Sequence, residues 1–301
     1  FFAPNIASPA QLRATIRRLQ RANAASPVHA PLLMLTDQEG GLVNRLPGQP
    51  VLSEKAIGAS SDPQGFASQA GSMAGANLTA AGITVDLAPV LDVYRQARNF
   101  IDQYQRSYSM DAAIAGRLGQ AFITHLQLTG VAATAKHFPG LGAAAADQNT
   151  DTTPVELNLP LRELRRTDEA PYRSAIAARV KLIMLSWAVF PALDPRMPAG
   201  LSPRVIGNEL RTRLRFHGVT ITDSLGAGAL APFGGYGQRG LLAASAGEDL
   251  ILCATTNPDE NTPNEAIDVL DSVSRALVTH ALSRTSAERA AARVIQLRAH
   301  P

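Results

Sequence analysis

The sequence predicts an α/β fold, and within that class a single-domain (β/α)8 TIM-like barrel. Three observations lead there. Short apolar runs without polar alternation recur along the chain, as expected of strands buried on both faces. Amphipathic stretches of helical period separate them, giving strand–helix units of roughly 40–50 residues. Ionisable residues follow several of the apolar runs directly, at the strand ends where barrel enzymes assemble their sites.

In chain order the strand candidates are Leu32–Thr36, Ile83–Leu87, Val131–Lys136, Leu182–Trp187, Val219–Thr222 and Leu250–Leu252, with Phe1-Phe2 as the end of a further one. Most are rich in Val, Ile and Leu. Helices are expected over 8–24, 63–81, 111–129, 161–179, 203–215, 237–247 and about 285–299. Six or seven strands in 301 residues suit a barrel better than a small open sheet, although no eighth strand is visible. No low-complexity linker divides the chain, so one unit over 1–301 is expected.

Composition narrows the function. Hydrophobic residues make up 46% and charged residues 18%, which excludes a disordered chain. A single cysteine excludes a disulfide framework and Cys-rich metal modules. No apolar run reaches membrane-spanning length. The net charge is +3, but the basic residues are scattered over helix-like segments rather than clustered with aromatics, which argues against nucleic acid. No charged segment leads into an apolar one at the start, so a cytoplasmic location is expected. The six histidines show no metal-ligand spacing, and neither a metal nor another cofactor is called for.

The residues after the strands carry the chemistry. They read Asp37-Gln38-Glu39-Gly40-Gly41, then Asp86-Leu87-Ala88-Pro89-Val90-Leu91-Asp92-Val93, then Arg106-Ser107-Tyr108-Ser109, then Lys136-His137-Phe138-Pro139-Gly140, then Ile221-Thr222-Asp223-Ser224-Leu225. Lys136 directly follows an apolar strand, where an unpaired ammonium would be costly, so a carboxylate or ligand partner is expected. Asp223 could serve simply as a helix N-cap after a strand.

In this order the five blocks resemble glycoside hydrolase family 3, most closely its single-domain, NagZ-like β-N-acetylhexosaminidases, over nearly the whole chain. The resemblance implies a retaining β-glycosidase on a single family 3 N-terminal-type barrel domain, without the second α/β domain many members carry. It makes Asp223 the nucleophile that forms and releases a glycosyl ester. It makes Asp37 an acceptor for sugar hydroxyls, and Arg45, Arg106, Lys136 and His137 donors around the same sugar. The implied partner is a carbohydrate substrate, a β-linked amino sugar or glucoside.

The general acid/base is where the chain departs from the family. NagZ-like enzymes carry an Asp-x-His pair soon after the Lys-His-Phe-Pro-Gly block, whereas residues 141–153 contain no histidine. Counted from Gly140, Asp147-Gln148-Asn149 falls in that register. With two inserted residues, Asn149-Thr150-Asp151 falls there instead, and the following helix around Pro171-Tyr172 favours this alignment. Asparagine cannot supply a proton, whereas an aspartate near a negative nucleophile can. Asp151 is therefore the leading candidate, with Asp147 and the absence of a competent acid as alternatives. The last would make the chain a sugar-binding pseudoenzyme. The departure also keeps β-glucosidase- or β-xylosidase-type activity open beside β-N-acetylglucosaminidase.

Other features read as structural or undecided. Gly226-Ala227-Gly228-Ala229-Leu230-Ala231 spells a dinucleotide fingerprint, but the acidic pair Glu248-Asp249 precedes its strand instead of ending it. The glycines suit tight strand–helix packing. Cys253 reads as a small core residue, and Trp187 suits either the core or a sugar-stacking wall.

Overall fold

The computed structural model describes residues 1–254 and 262–301. Among these, five parallel strands pair in sequence order: β1 Leu35–Thr36, β2 Val85–Asp86, β3 Ala132–Phe138, β4 Leu182–Leu185 and β5 Val219–Thr222. Leu35 pairs with Val85, Val85 with Ala132, Thr134 with Leu182 and Leu182 with Val219. All seven residues of β3 are buried, its polar residues Thr134, Lys136 and His137 included.

Both sheet edges are extended by isolated hydrogen bonds. Leu250 bridges Ile221, and Leu252 N–H donates to Thr222 Oγ1 at 2.8 Å. At the other edge the backbone nitrogen of Phe1 donates to the Leu35 carbonyl at 2.6 Å, and the Phe1 carbonyl accepts from Thr36 Oγ1 at 2.8 Å. The expected strands at 250–252 and 1–2 are thus reduced to ledges beside the sheet. Side chains from β2, β3, β4 and β5 share one apolar core with Leu33, Leu35, Leu250 and Leu252, closed off by Leu297. A second, larger core lies between the sheet and the surrounding helices.

Helices flank the sheet: α1 Pro9–Asn23, α2 Glu54–Gly58, α3 Pro63–Ala81, α4 Ala112–Gln127, α5 Leu161–Thr167, α6 Ala170–Ala177, α7 Tyr236–Ala246, α8 Thr262–Val278 and α9 Arg284–Ala299. Ser8, Asp62, Asp111 and Ser283 cap their helices through side-chain oxygens. The single helix expected over 161–179 is two helices. Pro171 lacks an N–H and fits only a first turn, so a new helix starts there. Residues Arg204–Arg213 wind as a π-helix. Helix α8 was not expected; it buries Val269 and Ala276, and Gly240 of α7 leaves no room for a Cβ against Val269. Two short antiparallel pairs, 38–40 with 43–44 and 189–190 with 194–198, were also not anticipated.

Candidate functional site

Parallel strands deliver their chain ends to one face, and the polar residues of this sequence collect there. Asp37 follows β1, Lys136 and His137 end β3, and Asp223 follows β5. They line a cavity of about 390 Å³ together with Arg45, Arg106 and Asp151. The structure therefore brings all seven predicted residues into one cleft. Asp147 is exposed and does not line it, so of the two alternative loop acids only Asp151 reaches the cavity.

Lys136 is the electrostatic centre. It is 2% exposed, with Nζ 2.7 Å from Asp37 Oδ1 and 2.7 Å from Glu39 Oε1. Burial alone would raise the Asp37 carboxyl, but the Lys136 ammonium, helped by Arg45 and Arg106, outweighs it and holds it at about 2. Burial would likewise raise Glu39, and Arg106 and Lys136 reverse the shift. Burial would lower Lys136, yet its two carboxylate partners keep it raised and charged.

Arg106 grips Glu39 in a two-pronged pair, Nε to Oε2 at 2.9 Å and Nη2 to Oε1 at 2.9 Å. The same Nη2 lies 3.3 Å from His137 Nε2. A guanidinium only donates, so Nε2 is the acceptor and the ring proton sits on Nδ1. That proton points at Asp92 Oδ2, 2.8 Å away. Asp92 Oδ1 also accepts from the Leu141 N–H at 2.7 Å, so one buried carboxylate fixes both the imidazole and the start of the 141–153 loop.

Glu39 and Asp92 therefore shape the site without having been singled out from the sequence. A signal existed for Glu39. It stands two residues after Asp37 at a strand end, on the same side of an extended backbone. Asp92 lies within a quoted block, but its partner His137 is 45 residues away, and only the parallel pairing of β2 and β3 joins them.

Two further acids are buried behind the cleft. Asp86 Oδ1 accepts the Gln38 N–H at 2.9 Å, while Oδ2 has no partner. Burial pushes its pKa up to about 8. Glu54 Oε1 accepts the Val90 N–H at 2.8 Å, and burial followed by the charge of Glu39 raises it well above the carboxylate range. Asp86 keeps its proton in the folded state at pH values where the unfolded chain has lost it. Its contribution is therefore intact below about 4 and declines until about 8, at up to ~1.4 kcal/mol per pH unit. Asp86→Asn, which keeps an acceptor for Gln38, is expected to flatten this decline. Thermal melts from pH 4 to 9 check it, and a wild-type slope retained in the variant contradicts it.

Asp223 is half-buried, and its Oδ1 accepts the Ser224 N–H at 2.7 Å. Below it, buried Trp187 donates from Nε1 to the Ser224 carbonyl at 2.8 Å, so Trp187 belongs to the core and steadies the Asp223 turn. Asp151 is exposed at the mouth of the cleft, in a turn where Asn149 Oδ1 accepts its N–H at 2.8 Å. Partial enclosure by protein and then the negative charge of Asp223 raise its pKa, against the pull of Arg106 and His137. Cys253 is half-buried and its thiol is pushed up to about 11 by burial, the behaviour of a packing residue. The glycines at 226 and 228 lie outside the cavity, and Asp249 is spent on ion pairs with Arg211 and Arg293.

An α/β fold whose strand-end cleft gathers three carboxylates, Asp37, Asp151 and Asp223, with several charged donors fits a carbohydrate-cleaving hydrolase. The chain matches the glycosyl hydrolase family 3 N-terminal domain over residues 1–297, and it belongs to that family. A secreted glycosyl hydrolase of Arthroderma benhamiae is 46% identical over 295 residues, 97% of this chain and 82% of the relative. A β-hexosaminidase of Nitrosomonas eutropha is 31% identical over 283 residues, 90% of this chain and 76% of that enzyme. The family 3 β-N-acetylglucosaminidase of Paenibacillus sp. str. FPU-7 superposes with a TM-score of 0.90 at 35% identity. That superposition covers 99% of this chain but 55% of the other, so the chain spans about half its length. The cytoplasmic expectation is overturned here, because the Arthroderma relative is a secreted protein. A short chain start without a recognisable leader was the wrong ground for it. Among the described residues no helix is long and apolar enough to cross a membrane.

Proposed function

We propose that this chain is a retaining exo-β-glycosidase acting on β-linked amino sugars, N-acetylglucosamine first among them, outside the cytoplasm. The observation that carries the reading is that Asp151 and Asp223 line one cavity, with Asp223 raising the proton affinity of Asp151. Asp223 attacks the anomeric carbon while Asp151 gives its proton to the departing oxygen, and a glycosyl ester forms. Water then attacks the same carbon, Asp151 takes the water proton, and the ester bond to Asp223 breaks. Two inversions leave the anomeric configuration unchanged.

The charge web serves the sugar. Asp37 Oδ2 has only Arg45 nearby, at 3.5 Å, and is available to a hydroxyl. Arg45, Arg106 and Lys136 supply the donor side, while His137, expected from the sequence as a further donor, has both ring nitrogens engaged by Arg106 and Asp92 and serves to orient Arg106. The identities of the hexosaminidase and β-N-acetylglucosaminidase relatives support the amino sugar. The same relationship supports one barrel domain over the chain, its ring continued past β1 and β5 by the ledges at 1–2 and 250–252.

The test uses two leaving groups. A disaccharide needs full protonation of its departing oxygen; a dinitrophenyl glycoside needs almost none. Asp151→Asn is expected to lower kcat/KM on the disaccharide by ~100-fold or more and to leave glycosylation by the aryl substrate within about 10-fold. Equal losses on both would remove Asp151 from the role, and binding without turnover of either by the wild type would make the chain a sugar-binding protein.

A further inference from the structure

The loop bearing Asp151 is tied down from both sides. At its far end the Gly228 N–H donates to the Asp151 carbonyl at 2.7 Å and the Ala229 N–H to the Thr150 carbonyl at 3.0 Å. A Cβ on Gly228 would stand 2.2 Å from the Thr152 carbonyl oxygen, a backbone atom that cannot swing aside. At its near end Asn99 Nδ2 donates to the Gly142 carbonyl at 2.7 Å and Gln103 Nε2 to the Ala146 carbonyl at 3.0 Å. The Phe100 N–H donates to the Ala144 carbonyl at 3.2 Å. The alanine run, which by composition alone suggests a free arm, is hydrogen-bonded at intervals.

Gly228 comes five residues after Asp223, on the same turn, and does not line the cavity. The segment that spells a dinucleotide fingerprint thus touches the one loop that carries the second carboxylate. We propose that residues 226–229 are a dock that joins the Asp151 loop to the Asp223 turn, with Gly228 as the positioning residue. The separation of the two carboxyls is then set before a substrate enters. This rests on the reading of Asp151 as acid/base. Retaining hydrolysis works at a carboxyl separation of about 5–5.5 Å, and a displacement near 1 Å costs ~10²-fold in rate. A methyl group at 228 forces the Thr152 carbonyl to retreat by about 1 Å, and the adjoining Asp151 moves with it.

The test compares wild type, Gly228→Ala and Asp151→Asn on a β-linked N-acetylglucosamine disaccharide and on the dinitrophenyl glycoside, with and without azide. Azide attacks the glycosyl ester without needing a base. Gly228→Ala is expected to lose ~100-fold on the disaccharide and under about 5-fold in glycosylation by the aryl substrate. Azide is expected to speed its slow second step and yield a glycosyl azide, a signature that general destabilisation does not produce. Amide exchange in the wild type supplies a measurement independent of any variant. The N–H groups of Gly228 and Ala229 are expected to exchange ~100-fold or more slowly than free peptide. Exchange at the free rate overturns the dock. So does a Gly228→Ala enzyme that loses both substrates equally, or neither, while Asp151→Asn remains selective; the acid/base reading then stands alone. Loss of selectivity in Asp151→Asn removes that reading and the dock with it.

Discussion

Asp223→Ala is expected to lower hydrolysis by ~10⁴-fold or more, on good and poor leaving groups alike, because covalent attack is lost outright. This even loss separates the nucleophile from the acid/base, whose removal discriminates between substrates. The turn around Asp223 should survive the change. The Ser224 carbonyl stays tied to Trp187 Nε1 at 2.8 Å, and β5 ends in the same buried Thr222. Melting close to wild type would confirm an intact fold. Two positive results are expected beside the loss. A fluorosugar with an activated leaving group should add one glycosyl mass to the wild-type peptide containing Asp223 and none to the variant. Azide given to Asp223→Ala should enter the vacated space and yield a glycosyl azide of inverted configuration, because one displacement then replaces two. Label on another side chain, or activity untouched by the substitution, overturns the assignment.

What could be read from the sequence was what depends on burial and local chemistry. Strands β3, β4 and β5 are each buried throughout, and β4 stands out as wholly apolar, whereas β5 is carried by Val219 and Ile221 between threonines and β3 by its alanines before Lys136. Strands β1 and β2 are only two residues long, so the pattern placed them but overran their ends. Pro171 was visible, yet its power to split 161–179 depends on α5 having already ended near Asp168. Of the seven cleft residues, Asp37, Arg106, Lys136, His137 and Asp223 were legible because they sit in the five ordered blocks, whereas Arg45 came from the family resemblance and Asp151 from the register of the 141–153 loop. Their partners were not, because Glu39 meets Arg106 and Lys136 across 67 and 97 positions, and no local signal encodes such a meeting. Counting made Asp151 the leading candidate over Asp147 but left both registers open, and only Asp151 lines the cavity. The path of the loop there depends on its hydrogen bonds to Gly228 and Ala229, a contact between segments 77 positions apart.

Lys136→Met is expected to produce the largest loss of stability in the site. Methionine matches the length of the stem and removes the ammonium, so the buried carboxylates of Asp37 and Glu39 face each other with one shared cation gone. Breaking a buried charge pair by removing one partner costs about 3–5 kcal/mol, much of it from the charge left behind. A fall in Tm of ~5–15 °C follows for a chain of this size. The pH dependence identifies the cause. In the wild type Asp37 is held at about 2, so its contribution is complete above the ordinary carboxylate value of about 4 and disappears as pH falls through about 2. In the variant burial acts on Asp37 and Glu39 with less opposition, their folded pKa values rise, and stability declines as pH increases through the carboxylate range. The two slopes therefore have opposite signs in acid, and the deficit of the variant narrows as pH drops from 7 toward 4. Adding Asp37→Asn to Lys136→Met should recover part of the loss at pH 7, because it removes one of the stranded charges. A deficit independent of pH and unrelieved by the second substitution would point to lost packing around the lysine stem, and would take Lys136 out of the centre of this charge web.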